Sequence, residues 1–234
     1  MLEQIRTLSK DLIDLIYPYR CVSCGTVDAI DKGVFCLSCA LAVSYTNHFS
    51  VQSNELLYRL TGRVEVENGA ALYEFIKSGS VQDAIHKLKY KKQSEIGVIL
   101  GRQFGQRYKG SSVFTNADYI IPIPIHTKRL RTRGYNQSYM FAKGISEVTQ
   151  IPIKKSVLTK SSAIQTQTKK SRSDRFNNVL TSFTMKNKDS LTGKTILLVD
   201  DVVTTGATLE AAISILSQVE DIKIQLGVIA LAND

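Results

Sequence analysis

The stretch Thr195-Ile-Leu-Leu-Val-Asp-Asp-Val-Val-Thr-Thr-Gly-Ala-Thr-Leu209 constrains this chain more than any other. Ile196 to Val199 is an unbroken apolar run, which suits a strand buried on both faces of a parallel sheet. Two carboxylates follow, Asp200 and Asp201, and then a turn rich in hydroxyls with one glycine, Gly206. Apolar residues at 209, 212, 213 and 216 then recur at helical spacing. The order is buried strand, acid pair, Thr/Gly turn, helix.

That order has a chemical meaning. A helix start leaves backbone N–H groups unpaired and carries partial positive charge, so it attracts an anion such as phosphate. Gly206 lets the backbone approach that anion, and Thr204, Thr205 and Thr208 supply hydroxyl donors around Ala207. The carboxylates upstream suit vicinal hydroxyls, as on a ribose, or a divalent cation. The stretch therefore fits a sugar 5-phosphate. Gly193-Lys194-Thr195 has the ending of a P-loop, but that motif requires glycine where Lys188 stands, and it precedes the strand. An acid pair of the phospho-acceptor type is excluded because it sits near a domain's start, whereas only thirty-three residues follow Asp201.

All four cysteines fall in two C-x2-C pairs, Cys21/Cys24 and Cys36/Cys39, separated by eleven residues. Two such knuckles supply four thiolates to one tetrahedral ion, so a structural zinc site is expected, with no coordination position left for chemistry. Disulfides are the alternative, and they are opposed by the cytosolic setting expected for the chain. His48, beyond the second knuckle, reads as a surface residue.

At 234 residues with 43% hydrophobic content, the chain has room for one α/β domain and a small module. No eighteen-residue apolar run occurs, and the charged N-terminus does not read as a signal peptide, so a cytoplasmic protein without a membrane span is expected. Lys and Arg exceed Asp and Glu by 30 to 21, a net charge of +9, which is consistent with polyanionic partners, phosphorylated small molecules or nucleic acid, and equally with a soluble protein that binds no nucleic acid. Residues 1–50 are assigned to an N-terminal amphipathic helix (about 2–16) and the cysteine module, 51–69 to a connector, and 70–234 to the main domain.

Within that domain the pattern alternates strand and helix, predicting a mostly parallel sheet with helices on both faces. Ser80-Val-Gln-Asp83 resembles a capping box opening a helix that ends in Lys87, Lys89, Lys91 and Lys92. Further helices are expected over about 95–108 and from 137 to about 148, with a strand at 156–159, another near 181–185 and a last one at 223–230. The apolar strand at 119–125 breaks at Pro122 and Pro124, so the chain leaves the sheet there. The loop Pro122-Ile123-Pro124-Ile125-His126 and the basic residues Lys128, Arg129, Arg131 and Arg133 after it stand where such folds bind ligands, placed for pyrophosphate. Residues 160–178 carry Lys169, Lys170, Arg172 and Arg175 and read either as an active-site loop that closes over a bound diphosphate or as a simply disordered stretch.

Ile196 to Thr208 resembles the 5-phosphoribosyl pyrophosphate (PRPP) signature of type I phosphoribosyltransferases. Adding the four-cysteine finger, His86-Lys-Leu-Lys-Tyr90, Ile121-Pro-Ile-Pro-Ile-His126, Arg133-Gly-Tyr-Asn-Gln137, Gln165-Thr-Gln167 and Arg175-Phe-Asn-Asn178, nearly the whole chain resembles the competence protein F family (ComF/ComFC). The resemblance implies a type I phosphoribosyltransferase-like fold behind a zinc ribbon. It also implies a role in natural transformation, helping single-stranded DNA through the membrane uptake machinery with a helicase-like partner. Asp200 and Asp201 would then hold the ribose hydroxyls and, through water, magnesium; Thr204 to Thr208 the 5-phosphate; and residues 122–126 the pyrophosphate. Two other functions fit the same residues: a phosphoribosyltransferase for a small acceptor, and a non-catalytic scaffold using zinc ribbon and basic surface. No catalytic base is identifiable.

Overall fold

The Ile196–Val199 run lies at the centre of a sheet, each residue fully buried, as expected of a strand covered on both faces. The computed structural model describes residues 18–27, 33–160 and 183–232. Its first half contains α1 (Leu37–Leu41), α2 (Glu55–Tyr58), β1 (Asn68–Phe75), α3 (Ser80–Tyr90) and α4 (Glu95–Lys109). There follow β2 (Tyr119–Pro122), α5 (Thr127–Arg133), α6 (Gln137–Thr149), β3 (Leu158–Lys160), β4 (Phe183–Met185), β5 (Thr195–Val203), α7 (Ala207–Leu216) and β6 (Lys223–Ala232). The main sheet has the order β1-β6-β5-β2, with every pairing parallel. The expected helix at 2–16 and most of the loop at 160–178 lie outside the described residues.

Alternation along the strands divides the interior in two. Leu197 and Val199 of β5 face a core built with α3, α4 and α6, which also takes in Cys21, Val34, Phe35 and Cys36 of the cysteine module. Ile196 and Leu198 face the other core, closed by α2, α7 and the β3–β4 hairpin. On the first face α4 and α6 cross with almost no side chain between them. A Cβ on Gly101 would stand 2.1 Å from the Phe141 carbonyl oxygen, and one on Gly144 2.0 Å from that of Val98. That crossing sets α6, and hence the start of α6 at Gln137, against the end of β5.

The segment just after the second knuckle is tied to the main sheet. Ser44–Thr46 runs antiparallel to the edge of β1, with Glu74 N–H donating to Ser44 O at 2.9 Å. His48 is a correction to the expectation of a surface residue. It is buried, and its Nδ1 accepts the Ala71 N–H at 3.2 Å, a backbone group on the β1 edge that would otherwise go unpaired. The capping box at Ser80 does not form either. Gly79 is the N-cap of α3, and Asp83 instead accepts the Ser23 hydroxyl of the first knuckle at 2.8 Å.

Candidate functional site

β5 carries the acid pair inside the strand rather than just beyond it. Its register sets Val199 beside Pro122, so the chain leaves β2 alongside Asp200. Pro122 does end β2, an edge strand, as proline must. Pro124, Ile125 and His126 then lead into α5. The basic run expected as a loop is this helix: His126 caps it, Nδ1 accepting the Lys128 N–H at 3.1 Å, and Lys128, Arg129 and Arg131 project exposed from it.

Six consecutive residues, 133–138, from the end of α5 to the start of α6, tie the site together. Arg133 lies over the Tyr90 ring, 5.6 Å from its centroid. Gly134 takes the left-handed conformation that ends α5. The Tyr135 hydroxyl donates to the Leu88 carbonyl at 2.5 Å, and Asn136 Nδ2 to that of Ile123 at 2.9 Å. Gln137 Nε2 donates to Asp201 Oδ2 at 3.1 Å, and the Ser138 hydroxyl to Asp200 Oδ1 at 2.9 Å. The sequence reading singled out Arg133 to Gln137 as a motif without a role for Tyr135, Asn136 or Gln137; the structure makes the segment the brace between α3, β2 and the acid pair. Lys89 of α3 completes it, with Nζ 2.9 Å from Asp201 Oδ2. Burial, and next the adjacent Asp201 charge, push the Asp200 carboxyl up to about 7. Burial also lowers Lys160, on the first arm of the hairpin, against an opposing pull from Asp200.

The turn after β5 is shaped from outside by two arginines that the sequence reading passed over. Arg59 donates to the carbonyls of Thr204 and Ala232, and Arg63 to that of Thr205 at 3.3 Å while pairing with Glu210 at 2.8 Å. A trans peptide points its N–H opposite its C=O. The N–H groups of Thr205 and Gly206 are therefore turned away from the arginines, toward the side an anion would occupy at the start of α7. Gly206 adopts φ +80°, a conformation costly for any residue with a Cβ. Thr204 and Thr205 are exposed, and Ala207 and Thr208 half-buried, in the turn and the first turn of α7. Lys169, Lys170, Arg172 and Arg175 lie outside the described residues.

The four cysteines converge at the far end of α3, their sulfurs all within 4.8 Å of one another. Cys24 and Cys36 Sγ are 3.6 Å apart, near the roughly 3.8 Å that tetrahedral geometry with Zn–S bonds of about 2.3 Å requires. The first knuckle is turned by Gly25 (φ +78°), whose N–H donates to Cys21 O at 3.0 Å; the second is the start of α1. The Thr26 hydroxyl brings the Cys24 thiol down to about 6, while burial pushes Cys39 up to about 11. Four soft donors at this spacing fit a metal ion such as zinc.

The parallel sheet, its flanking helices and a match of residues 136–234 to the phosphoribosyl transferase domain define a protein with a type I phosphoribosyltransferase fold. Its homologues are named for competence and DNA utilisation. Competence protein F of Haemophilus influenzae is 25% identical over 221 residues, 89% of this chain and 96% of that protein. DNA utilization protein YhgH of Escherichia coli K12 is 30% identical over 131 residues, and competence protein ComFC of Bacillus subtilis 27% over 133. Those two alignments cover 53% and 56% of this chain and about half of each relative, 56% and 51%. Among the described residues no helix is long and apolar enough to cross a membrane.

Proposed function

We propose that this protein binds PRPP with magnesium at the end of β5 and acts in the internalisation of single-stranded DNA during transformation. The observation that carries the first half is the acid pair near the end of β5, followed by a Thr/Gly turn at the start of α7 whose Thr204 and Thr205 carbonyls are held from outside by Arg59 and Arg63. Asp200 and Asp201 serve the ribose and, through water, magnesium; Thr204 to Thr208 the 5-phosphate; and Pro122 to His126 the pyrophosphate. Magnesium, when bound, offsets the diphosphate charge. The cysteines hold a structural zinc. Residues 70–234 form the nucleotide-binding unit, 1–50 the metal module and 51–69 their connector.

The DNA reading rests on the relatives' names and on a surface. Tyr90, 66% exposed, stands at the end of α3, with the His86 ring 5.0 Å and the Arg133 guanidinium 5.6 Å from its ring centroid. Lys91 and Lys92, just past the end of α3, and Lys128, Arg129 and Arg131 of α5 are exposed. Exposed rings amid cations suit stacked bases and their phosphates. The protein would work inside the cell beside the membrane uptake machinery and a helicase-like partner. Transformation efficiency with Asp200→Asn, Asp201→Asn in place of the wild type tests the whole reading: a large loss is expected, and full efficiency would sink it. A second reading, transfer of the phosphoribosyl group to a small acceptor, is favoured by the domain match. It requires acceptor-dependent pyrophosphate release, and a panel of bases and amines giving none would remove it.

A further inference from the structure

The two carboxylates of the acid pair are not equivalent. Asp201 is 8% exposed and fully engaged: Oδ2 takes Lys89 Nζ at 2.9 Å and Gln137 Nε2 at 3.1 Å, and Oδ1 the Val202 N–H at 2.7 Å. Asp200 has partners at Oδ1 alone, the Ser138 hydroxyl and the Asp201 N–H, both at 2.9 Å. Among the described residues none reaches its Oδ2.

Gln137 adds an independent sign that Asp201 is held for a purpose. Its amide gives Nε2 to Asp201 although this leaves Oε1 buried and without a partner, the one such side-chain atom among the described residues. Turning the amide over would set an oxygen against a carboxylate, so the orphan is the consequence of holding Asp201. Lys89 is equally well placed. It sits in the last turn of α3, next to Leu88, which is fully buried and whose carbonyl is gripped by Tyr135.

We propose that Asp201 is a positioning carboxylate, locked by Lys89 and Gln137, and that Asp200 alone, through Oδ2, takes up the ribose hydroxyls. The proposal rests on the PRPP reading above. Its physical sense lies in charge. Two bare carboxylates side by side would repel each other and the phosphates of the ligand, whereas a fixed ammonium on one of them leaves a single carboxylate facing the diol. Asp201 acts through its backbone as well, since its N–H orients Asp200 Oδ1. Lys89 therefore works at second hand, by holding Asp201 in place.

The test is calorimetric titration of the full, metal-loaded chain with ribose 5-phosphate plus magnesium, and separately with inorganic phosphate. Asp200→Asn is expected to weaken ribose 5-phosphate at least about 100-fold, the loss of charge-assisted bonds to a diol. Lys89→Met and Asp201→Asn should each weaken it about ten-fold and, since they break one pair, the double variant should be no worse than either single. Lys89→Arg should bind within about three-fold of wild type, because it keeps the charge at the pair. Phosphate affinity should be unchanged throughout, since the turn that holds it is untouched; a general loss of structure would lower it. Equal losses for Asp200→Asn and Asp201→Asn with a harmless Lys89→Met would overturn the proposal, as would additive losses in the double variant. If Lys89→Met does not fold, Lys89→Arg and Asp201→Asn still decide. Wild type that binds neither ligand overturns the PRPP reading itself, whereas wild-type binding with the wrong variant pattern overturns this proposal alone.

Discussion

The two chemical centres of this protein sit at opposite ends of one helix. At the start of α3 the cysteine centre is closed: four identical donors from two short segments, each knuckle complete within four residues. At the end of α3 the carboxylate centre is open and composite, assembled from β5, β2, α3 and the 133–138 segment, with α2-side arginines behind its turn. Ser23 holds Asp83 at the first end and Lys89 holds Asp201 at the second. A closed centre stabilises the fold and an open one waits for a ligand. Disturbing the first should therefore propagate along α3, while disturbing the second should stay local.

The largest effect should come from breaking the cysteine centre. Cys36→Ser is expected to reduce bound zinc from one per chain to near zero and to lower stability by at least about 3 kcal/mol, because metal binding there is folding free energy. Metal analysis with denaturant unfolding checks both. PRPP affinity should fall with it, whereas Asp200→Asn should leave the metal content untouched. That asymmetry is the comparison in its sharpest form, and equal zinc loss in both variants would break it.

Asp200→Asn should also reveal the strain of the open centre through pH. The folded-state carboxyl, at about 7, lies above its ordinary 3.8, so the folded protein binds this proton more tightly than the unfolded chain. Its contribution to stability is full below about pH 4 and is lost as pH rises through 7. The asparagine variant should accordingly match wild type near pH 4 and exceed it above pH 7, by about 2 kcal/mol once partial solvent exposure is discounted. Unfolding curves across that range would show it; a variant no more stable at pH 8 than at pH 4, relative to wild type, contradicts it.

Smaller effects are expected at the supports. Arg63→Met removes one of two cations that orient the Thr204–Thr205 carbonyls, and should weaken phosphate binding about five-fold, with its partner Glu210 left unpaired. Tyr90→Ala should weaken single-stranded DNA about five-fold, the low end for one stacked base, and leave PRPP titrations unchanged.

The same contrast explains what could be read from the chain alone. The cysteine spacing, the β5 run, the apolar face of α3 (Val81, Ala84, Ile85, Leu88) and the helices beginning at 95 and 137 are local periodicities, and they hold in the structure, whereas the basic run after His126, read as a loop, is helix α5. The partners of the acid pair are not local. Lys89 lies more than a hundred residues from Asp201, and nothing in its lysine-rich setting distinguishes it from its exposed neighbours Lys91 and Lys92. Arg59 and Arg63 stood in a segment that read as mere connector. His48 looked polar and exposed because its role is to satisfy one N–H on an edge strand, which only the pairing of residues 44–46 with β1 reveals. Capping at Ser80 failed for a related reason, since Asp83 is drawn to Ser23 of the metal module.

The most direct test is titration of the metal-loaded wild-type protein with PRPP in the presence and absence of magnesium. Saturable one-to-one binding that requires the cation is the expected result. A folded, zinc-loaded protein that takes up no PRPP with magnesium present would contradict the account at its centre.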